Sequence, residues 1–319
     1  MQSIGILGAG AWGTALAITA AYAGRDVTLQ AHDAANAAAI RRARENAAYL
    51  PGIKLDPAIH VSADVADAVK ADAVLVVTPA QFLRPVLQSA RPHWKSGAPA
   101  VICAKGIEQG SYKLLSEVVT ETLGDDVPVA VLSGPTFAVE VAHQLPTAVT
   151  LACVDEEIGQ ALCNALNCRH FRPYYSYDVI GAQLGGAVKN VLAIACGIVQ
   201  GKNLGDNGRA ALITRGLAEI ARLALVLGAD EHTLMGLSGL GDLTLTCNAM
   251  QSRNFSLGVA LGQGRSLESI LNERSSVTEL AQREEIEMPI CQAVHAVLNL
   301  GADLDSIIHG LLTRPLNIE

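Results

Sequence analysis

The chain has no excess of positive charge. Its 23 lysines and arginines stand against 31 aspartates and glutamates, a net charge of −8, which argues against a nucleic-acid partner. A small anionic substrate is still compatible with that balance, because a few local cations suffice to hold it. Neither Cys-x-x-Cys nor His-Glu-x-x-His occurs, so the eight histidines give a metal site no support. The seven cysteines (Cys103, Cys153, Cys163, Cys168, Cys196, Cys247, Cys291) are odd in number and scattered, mostly in apolar stretches. They read as reduced, packed thiols of a cytoplasmic protein. The first 24 residues carry no charged side chain, but the basic start of an export signal is missing and glycines interrupt the apolar run. No other stretch reaches the roughly 20 apolar residues of a membrane span without a charge or a better explanation. Repeats and low-complexity segments are absent.

What is present is apolar material for a sizeable core. Half of the 319 residues are hydrophobic, and the length suits two domains. Ser3–Leu7 reads as a strand and runs into Gly8-Ala-Gly10-Ala11-Trp12-Gly13, followed by an alanine-rich helical pattern. Asp26–Ala31 reads as a second strand ending at His32-Asp33, which puts an acid 20 positions after the last glycine. This is a dinucleotide-binding arrangement. Gly8 permits the tight turn, Gly10 lets the pyrophosphate reach the backbone, and Gly13 allows close helix–strand packing. The helix N-terminus then faces the phosphates. Asp33 suits the ribose hydroxyls of NAD, while His32, if protonated, would tolerate the 2′-phosphate of NADP. The expected cofactor is therefore NAD or NADP.

Strand-like runs continue at Asp72–Val77, Ala98–Cys103, Val127–Leu132 and Thr147–Cys153, separated by helical patterns. That alternation predicts a doubly wound parallel sheet, with ligands at the carboxyl ends of its strands. The loops expected there are Thr78-Pro79, Ala104-Lys105-Gly106 and Ser133-Gly134-Pro135-Thr136. Lys105 could neutralise a phosphate or crowd a catalytic amine. Gly134 and Thr136 could present N–H groups to an anion, or form a plain capped turn.

After Asp178 the strand signals nearly vanish. The spacing predicts helices from Val179 to about Gln200, Gly208 to Leu227, Leu257 to Leu261 and Met288 to Leu300. The expected division is residues 1–175 as a Rossmann domain and 176–319 as an all-helical substrate and catalytic domain. From Val179 to Gln200 the only charge is Lys189, and a lysine in so apolar a helix is costly unless it is paired or has a task. Gly181, Gly185 and Gly186 would let another element or a ligand come close to that helix. Gly197–Asn203 mimics a phosphate loop but has Asn where a metal-binding hydroxyl belongs. Two further clusters stand out. Asp242 follows Gly239 and Gly241, and Ser252-Arg253-Asn254 sets a fork-shaped cation between two hydrogen-bonding side chains.

Taken together these motifs resemble the bacterial-type NAD(P)-dependent glycerol-3-phosphate dehydrogenases. The resemblance rests on Gly8–Gly13 with Trp12, Tyr49-Leu-Pro-Gly52, Ala104–Glu108, Leu132–Ala138, Val188-Lys189-Asn190, Thr214–Glu219, Gly239–Asp242, Gln251–Asn254 and Glu287–Ile290, in order along nearly the whole chain. It implies a Rossmann domain joined to a helical domain of the 6-phosphogluconate dehydrogenase type. It implies reversible reduction of dihydroxyacetone phosphate to sn-glycerol 3-phosphate for glycerophospholipid synthesis. By the same resemblance the proton donor/acceptor falls on Lys189, and the other substrate residues on Lys105, Gly134, Thr136, Asp242, Ser252, Arg253 and Asn254. Cofactor contacts fall on Ala11, Trp12, His32, Tyr49, Lys105, Ala138, Arg253, Val277 and Glu279, beside the three glycines.

The chain departs from the family in two places. His32 stands where the family often has Arg. About ten residues, more than a helical turn, are missing between Ser275–Glu279 and Glu287. Val277 and Glu279 match cofactor positions if the gap falls after Glu279, and lose them if it falls before. A homodimer is compatible with the family; no nucleic-acid or membrane partner is expected. The rival readings are a β-hydroxyacid or ketopantoate-type reductase, and a non-catalytic NAD(P)-binding regulator.

Overall fold

The computed structural model describes residues 1–265 and 276–314. The N-terminal part is one sheet built from β1 (Ser3–Leu7), β2 (Asp26–Gln30), β3 (His60–Ser62), β4 (Ala73–Val76), β5 (Ala100–Ile102), β6 (Val129–Ser133), β7 (Thr147–Cys153) and β8 (Phe171–Ser176). Its order is β3-β2-β1-β4-β5-β6-β7-β8. Neighbours run parallel except β6 and β7, where Ala130 faces Cys153 and Ser133 faces Thr150 in antiparallel register. The expectation of a parallel sheet therefore needs that one correction. The link between them carries a helix of only five residues, α6 (Ala138–Ala142), about 7.5 Å long, too short to bring the chain back for a parallel crossover. The edge strands β3 and β8 were not anticipated. β3 has three residues, and Pro173 inside β8 hides a strand that is tolerated at an edge.

Helices cover both faces. They are α1 (Ala11–Tyr22), α2 (Ala34–Ala43), α3 (Val65–Ala68), α4 (Ala80–Ala90), α5 (Leu115–Leu123), α6 and α7 (Glu156–Leu166). Strand alternation divides the core between the faces. Ile4, Ile6, Ala73 and Leu75 join the apolar cluster under α1, whereas Leu7, Val74 and Val76 join the one under α4 and α5.

From Val179 onward the described residues are helical: α8 (Val179–Gly201), α9 (Gly205–Val226), α10 (Glu231–Met235), a π-helical turn (Leu237–Gly241), α11 (Asp242–Asn248), α12 (Arg253–Gly262), α13 (Ser276–Arg283), α14 (Pro289–Asn299) and α15 (Leu304–Leu312). α8 is long and apolar enough to cross a membrane, but 83% of its most apolar window is buried inside this chain. Its glycines explain the packing. A Cβ on Gly197 would stand 2.1 Å from the Phe255 carbonyl oxygen, and one on Gly258 2.1 Å from that of Ile194. Gly201 and Gly262 repeat the contact one turn on, so α8 and α12 run side by side in the same direction. The segment that mimicked a phosphate loop is thus a helix–helix seam. Of the seven cysteines six are buried and all are free thiols. Burial pushes the Cys103 and Cys291 thiols up, which suits inert core residues.

Candidate active site

The site forms where α8 crosses the carboxyl edge of the sheet. Two adjacent glycines open α8 on two sides. A Cβ on Gly185 would lie 2.3 Å from the Ser238 carbonyl oxygen, so glycine there admits the π-helical turn that leads into Asp242. A Cβ on Gly186 would lie 3.2 Å from both Lys105 Cγ and Ser133 Oγ, so glycine there admits the loops after β5 and β6. Lys189, one turn further along, is 7% exposed and Asp242 is fully buried.

These residues bond to one another. Lys189 Nζ donates to Asp242 Oδ1, and to Thr246 Oγ1 at 3.0 Å. Lys105 Nζ donates to Asp242 Oδ2 at 2.6 Å and to the Gly134 carbonyl at 3.2 Å. Thr136 Oγ1 donates to the same carbonyl at 3.3 Å. One buried carboxylate therefore sits between two ammonium groups. Burial lowers the Lys189 pKa most, the Lys105 charge lowers it further, and Asp242 opposes both, leaving it near about 7. An amine so placed can hold or release a proton near neutrality.

The Ser252–Asn254 cluster lies at the start of α12. Ser252 is its N-cap, accepting from the Phe255 N–H at 3.2 Å, and Arg253 opens the helix with an exposed side chain. The register set by Gly197 and Gly258 brings residue 253 level with Leu192, within one turn of Lys189.

The cofactor residues lie around the glycine turn. Gly8 has φ +110°, and a Cβ on Gly13 would stand 1.9 Å from the Gly8 carbonyl oxygen. Gly10 caps α1 without a side-chain acceptor and has open space beside it, so the first N–H groups of α1 are free to meet an anion. The turn thus fits a dinucleotide pyrophosphate. Ala11 and Trp12 begin α1 and pack on the sheet core, as does Ala138 at the start of α6. His32 and Asp33 follow β2, both exposed, and Tyr49 is 58% exposed in the loop after α2. The side chains of Val277 and Glu279 lie outside the described residues.

Two residues were not singled out from sequence. Thr246 faces Lys189 from one turn beyond Asp242, a spacing that carried the signal. Asn46, fully buried, donates from Nδ2 to the Ala9 carbonyl and to Thr14 Oγ1, both at 2.8 Å, pinning the glycine turn from a distant loop. A lone asparagine has no periodicity that would have revealed it.

Models of the NAD-dependent glycerol-3-phosphate dehydrogenase N-terminus and C-terminus match residues 3–159 and 178–309. The chain belongs to that family. A glycerol-3-phosphate dehydrogenase [NAD(P)+] of Rhodospirillum rubrum is 60% identical over 330 residues, covering all of this chain and 94% of the relative. That of Caulobacter vibrioides is 54% identical over 328, covering all of this chain and 99% of the relative. Both alignments exceed the 319 residues here, so the dehydrogenases it resembles carry residues this chain lacks. The crystal structure of glycerol-3-phosphate dehydrogenase from Coxiella burnetii is 40% identical, with a TM-score of 0.92, covering 98% of this chain and 99% of that one. Family membership sets aside the readings as a ketopantoate-type reductase or a regulator.

Proposed function

We propose that this chain interconverts dihydroxyacetone phosphate and sn-glycerol 3-phosphate, with Lys189 as the proton donor and acceptor. The chain is an NAD(P)-dependent oxidoreductase of glycerol 3-phosphate. The observation that carries the assignment of Lys189 is its buried amine, held by Asp242 and Thr246 beside Lys105 at the carboxyl edge of the sheet.

A nicotinamide dinucleotide held by the Gly8–Gly13 turn would supply a hydride in the reducing direction and accept it in the other. Lys189, as the ammonium, gives its proton to the carbonyl oxygen; as the neutral amine it receives the hydroxyl proton on oxidation. Until that proton has moved, the Lys189 charge stabilises negative charge developing on that oxygen, and the Lys105 charge does so throughout. Asp242 fixes both amines, because either would otherwise swing away along a flexible stem. Arg253 grips the phosphate with Asn254 and Ser252, while Gly134 and Thr136 bound the other side. Holding the phosphate aligns the carbonyl, and positioning of that kind supplies much of the rate. In this reading residues 1–175 hold the cofactor and lend Lys105, Gly134 and Thr136 to the substrate, whose other contacts come from 176–319. Assembly as a homodimer, a cytoplasmic location and supply of glycerol 3-phosphate for phospholipid synthesis belong to the same proposal.

A substrate panel with NADH and NADPH tests it. Turnover is expected with dihydroxyacetone phosphate and not with ketopantoate or β-keto acids. Equal turnover of an unphosphorylated ketone would contradict the role given to Arg253.

A further inference from the structure

Lys105 reaches Asp242 from the loop between β5 and α5. A lysine stem is flexible, so its ammonium keeps one place only if the backbone that carries it is held. Contacts from α4 hold that loop. Gly106 has φ +142°, and a Cβ on it would stand 3.0 Å from Ala80 Cβ, so the chain passes the start of α4 where only glycine fits well. Gln81, half-buried, uses both ends of its amide. Its Nε2 donates to the Ile107 carbonyl at 3.0 Å, and its Oε1 accepts from the Gln109 N–H at 2.8 Å. Arg84, further along α4, donates from Nε and Nη2 to the Glu108 carboxylate at 2.8 and 2.7 Å.

The same loop is held from the other side. Ile107 and Leu114 form an antiparallel bridge and are buried in the apolar cluster that includes Leu184 and Val188 of α8. The start of α4 in turn lies against the glycine turn, since a Cβ on Gly8 would stand 3.2 Å from the Thr78 backbone nitrogen. α4 therefore spans from the cofactor turn to the loop that carries Lys105.

We infer that Gln81 is a positioning residue for the reaction: its amide fixes the backbone just beyond Lys105, and so the place of the Lys105 ammonium between Asp242 and the Gly134 carbonyl. The inference rests on the roles proposed above for Lys105 and Lys189 and adds the residue that sets the first of them.

A displaced Lys105 would be felt at Lys189. Among the described residues, the ionisable groups around Lys189 are Lys105, and Asp242 and Cys247 of α11. The neighbouring Cys196 thiol and burial push Cys247 up, so it stays neutral. Burial lowers the Lys189 pKa most and Lys105 lowers it further, so withdrawal of Lys105 lets it rise.

The test compares Gln81→Leu, Lys105→Met and the double variant in the full chain. Gln81→Leu removes both amide bonds. It should lower kcat/KM for dihydroxyacetone phosphate about tenfold. It should also move the midpoint of the pH profile for glycerol 3-phosphate oxidation upward by roughly half a pH unit or more. Added to Lys105→Met, it should cost less than about twofold further, because it acts through the lysine already removed. Should Gln81→Leu fail to fold, Gln81→Met, an unbranched side chain with neither bond, replaces it. An unshifted pH profile in the folded variant, or the full tenfold loss repeated on the Lys105→Met background, overturns the role of Gln81. Wild-type activity and profile in Lys105→Met would instead overturn the role of Lys105 itself, which separates the two failures.

Discussion

Gly185 lies so close to Ser238 that a Cβ on the glycine would stand 2.3 Å from the serine carbonyl oxygen. That contact sets the distance between α8 and the turn that presents Asp242, and hence whether Asp242 reaches Lys189. Gly185→Ala should force the turn outward, because the obstructing atom is backbone and cannot rotate away. The expected cost is about 1–3 kcal/mol of stability. Activity should fall at least about tenfold, since a misplacement of an ångström costs more than that at a reacting centre. Thermal unfolding and steady-state kinetics on one preparation check both.

Asp242→Asn removes the charge that both lysines share. Because Asp242 raises the Lys189 pKa against burial, its loss should move that pKa lower still. The pH at which oxidation of glycerol 3-phosphate switches on should shift downward, and kcat should fall by on the order of a hundredfold. Breaking a buried pair by removing one partner typically costs ~3–5 kcal/mol. A pH profile of kcat/KM for wild type and variant reads the shift.

The depressed Lys189 pKa fixes the sign of the pH dependence. Reduction needs the ammonium, so its rate should decline as pH rises through about 7; oxidation needs the amine and should increase across the same window. The stability effect has the opposite sign from that of a lysine whose partner raises its pKa, because burial and Lys105 outweigh Asp242 here. The unfolded chain holds this proton up to about 10.4 and the folded chain releases it near about 7. Lys189 therefore costs stability most below about 7, and the cost shrinks as pH rises toward the unfolded value. Denaturant melts of wild type and Lys189→Met across that range should converge at the alkaline end.

Glu219 is a buried carboxylate that ties α14 to α9. It is 2% exposed, and its oxygens accept from the Ile290 N–H at 2.7 Å and the Cys291 N–H at 3.2 Å, at the start of α14. Burial raises its pKa and the two N–H groups oppose that rise. Glu219→Ala should strand both donors and cost about 1–3 kcal/mol. A lower unfolding midpoint with kcat held at the growth temperature is the expected pattern.

Asn46→Ala should loosen the glycine turn by releasing the Ala9 carbonyl and Thr14. Cofactor dissociation constants should rise several-fold, while the KM for dihydroxyacetone phosphate changes little. Equal weakening of both ligands would point to a general loss of structure instead.

The parts legible in the sequence were those with a local period. Gly8–Gly13 followed a short strand, and Lys189 stood alone in an apolar helix, so both could be read within a dozen residues. Asp242 was flagged only by its glycines, because its partner Lys105 lies 137 positions away and no spacing links them. The strand β7 was legible but its antiparallel direction was not, since an apolar strand reads the same either way. Gly197 and Gly201 were noticed for the wrong reason; their partners on α12 supply the right one. Asn46 acts wholly through long-range hydrogen bonds and left no trace in pattern.

The central claim is that the Lys189 amine delivers the proton. Lys189→Ala, assayed for NADH-dependent reduction of dihydroxyacetone phosphate with NADH binding followed in parallel, tests it most directly. The account predicts loss of turnover by at least about a hundredfold with cofactor still bound. Retention of substantial reductase activity by that variant would contradict it.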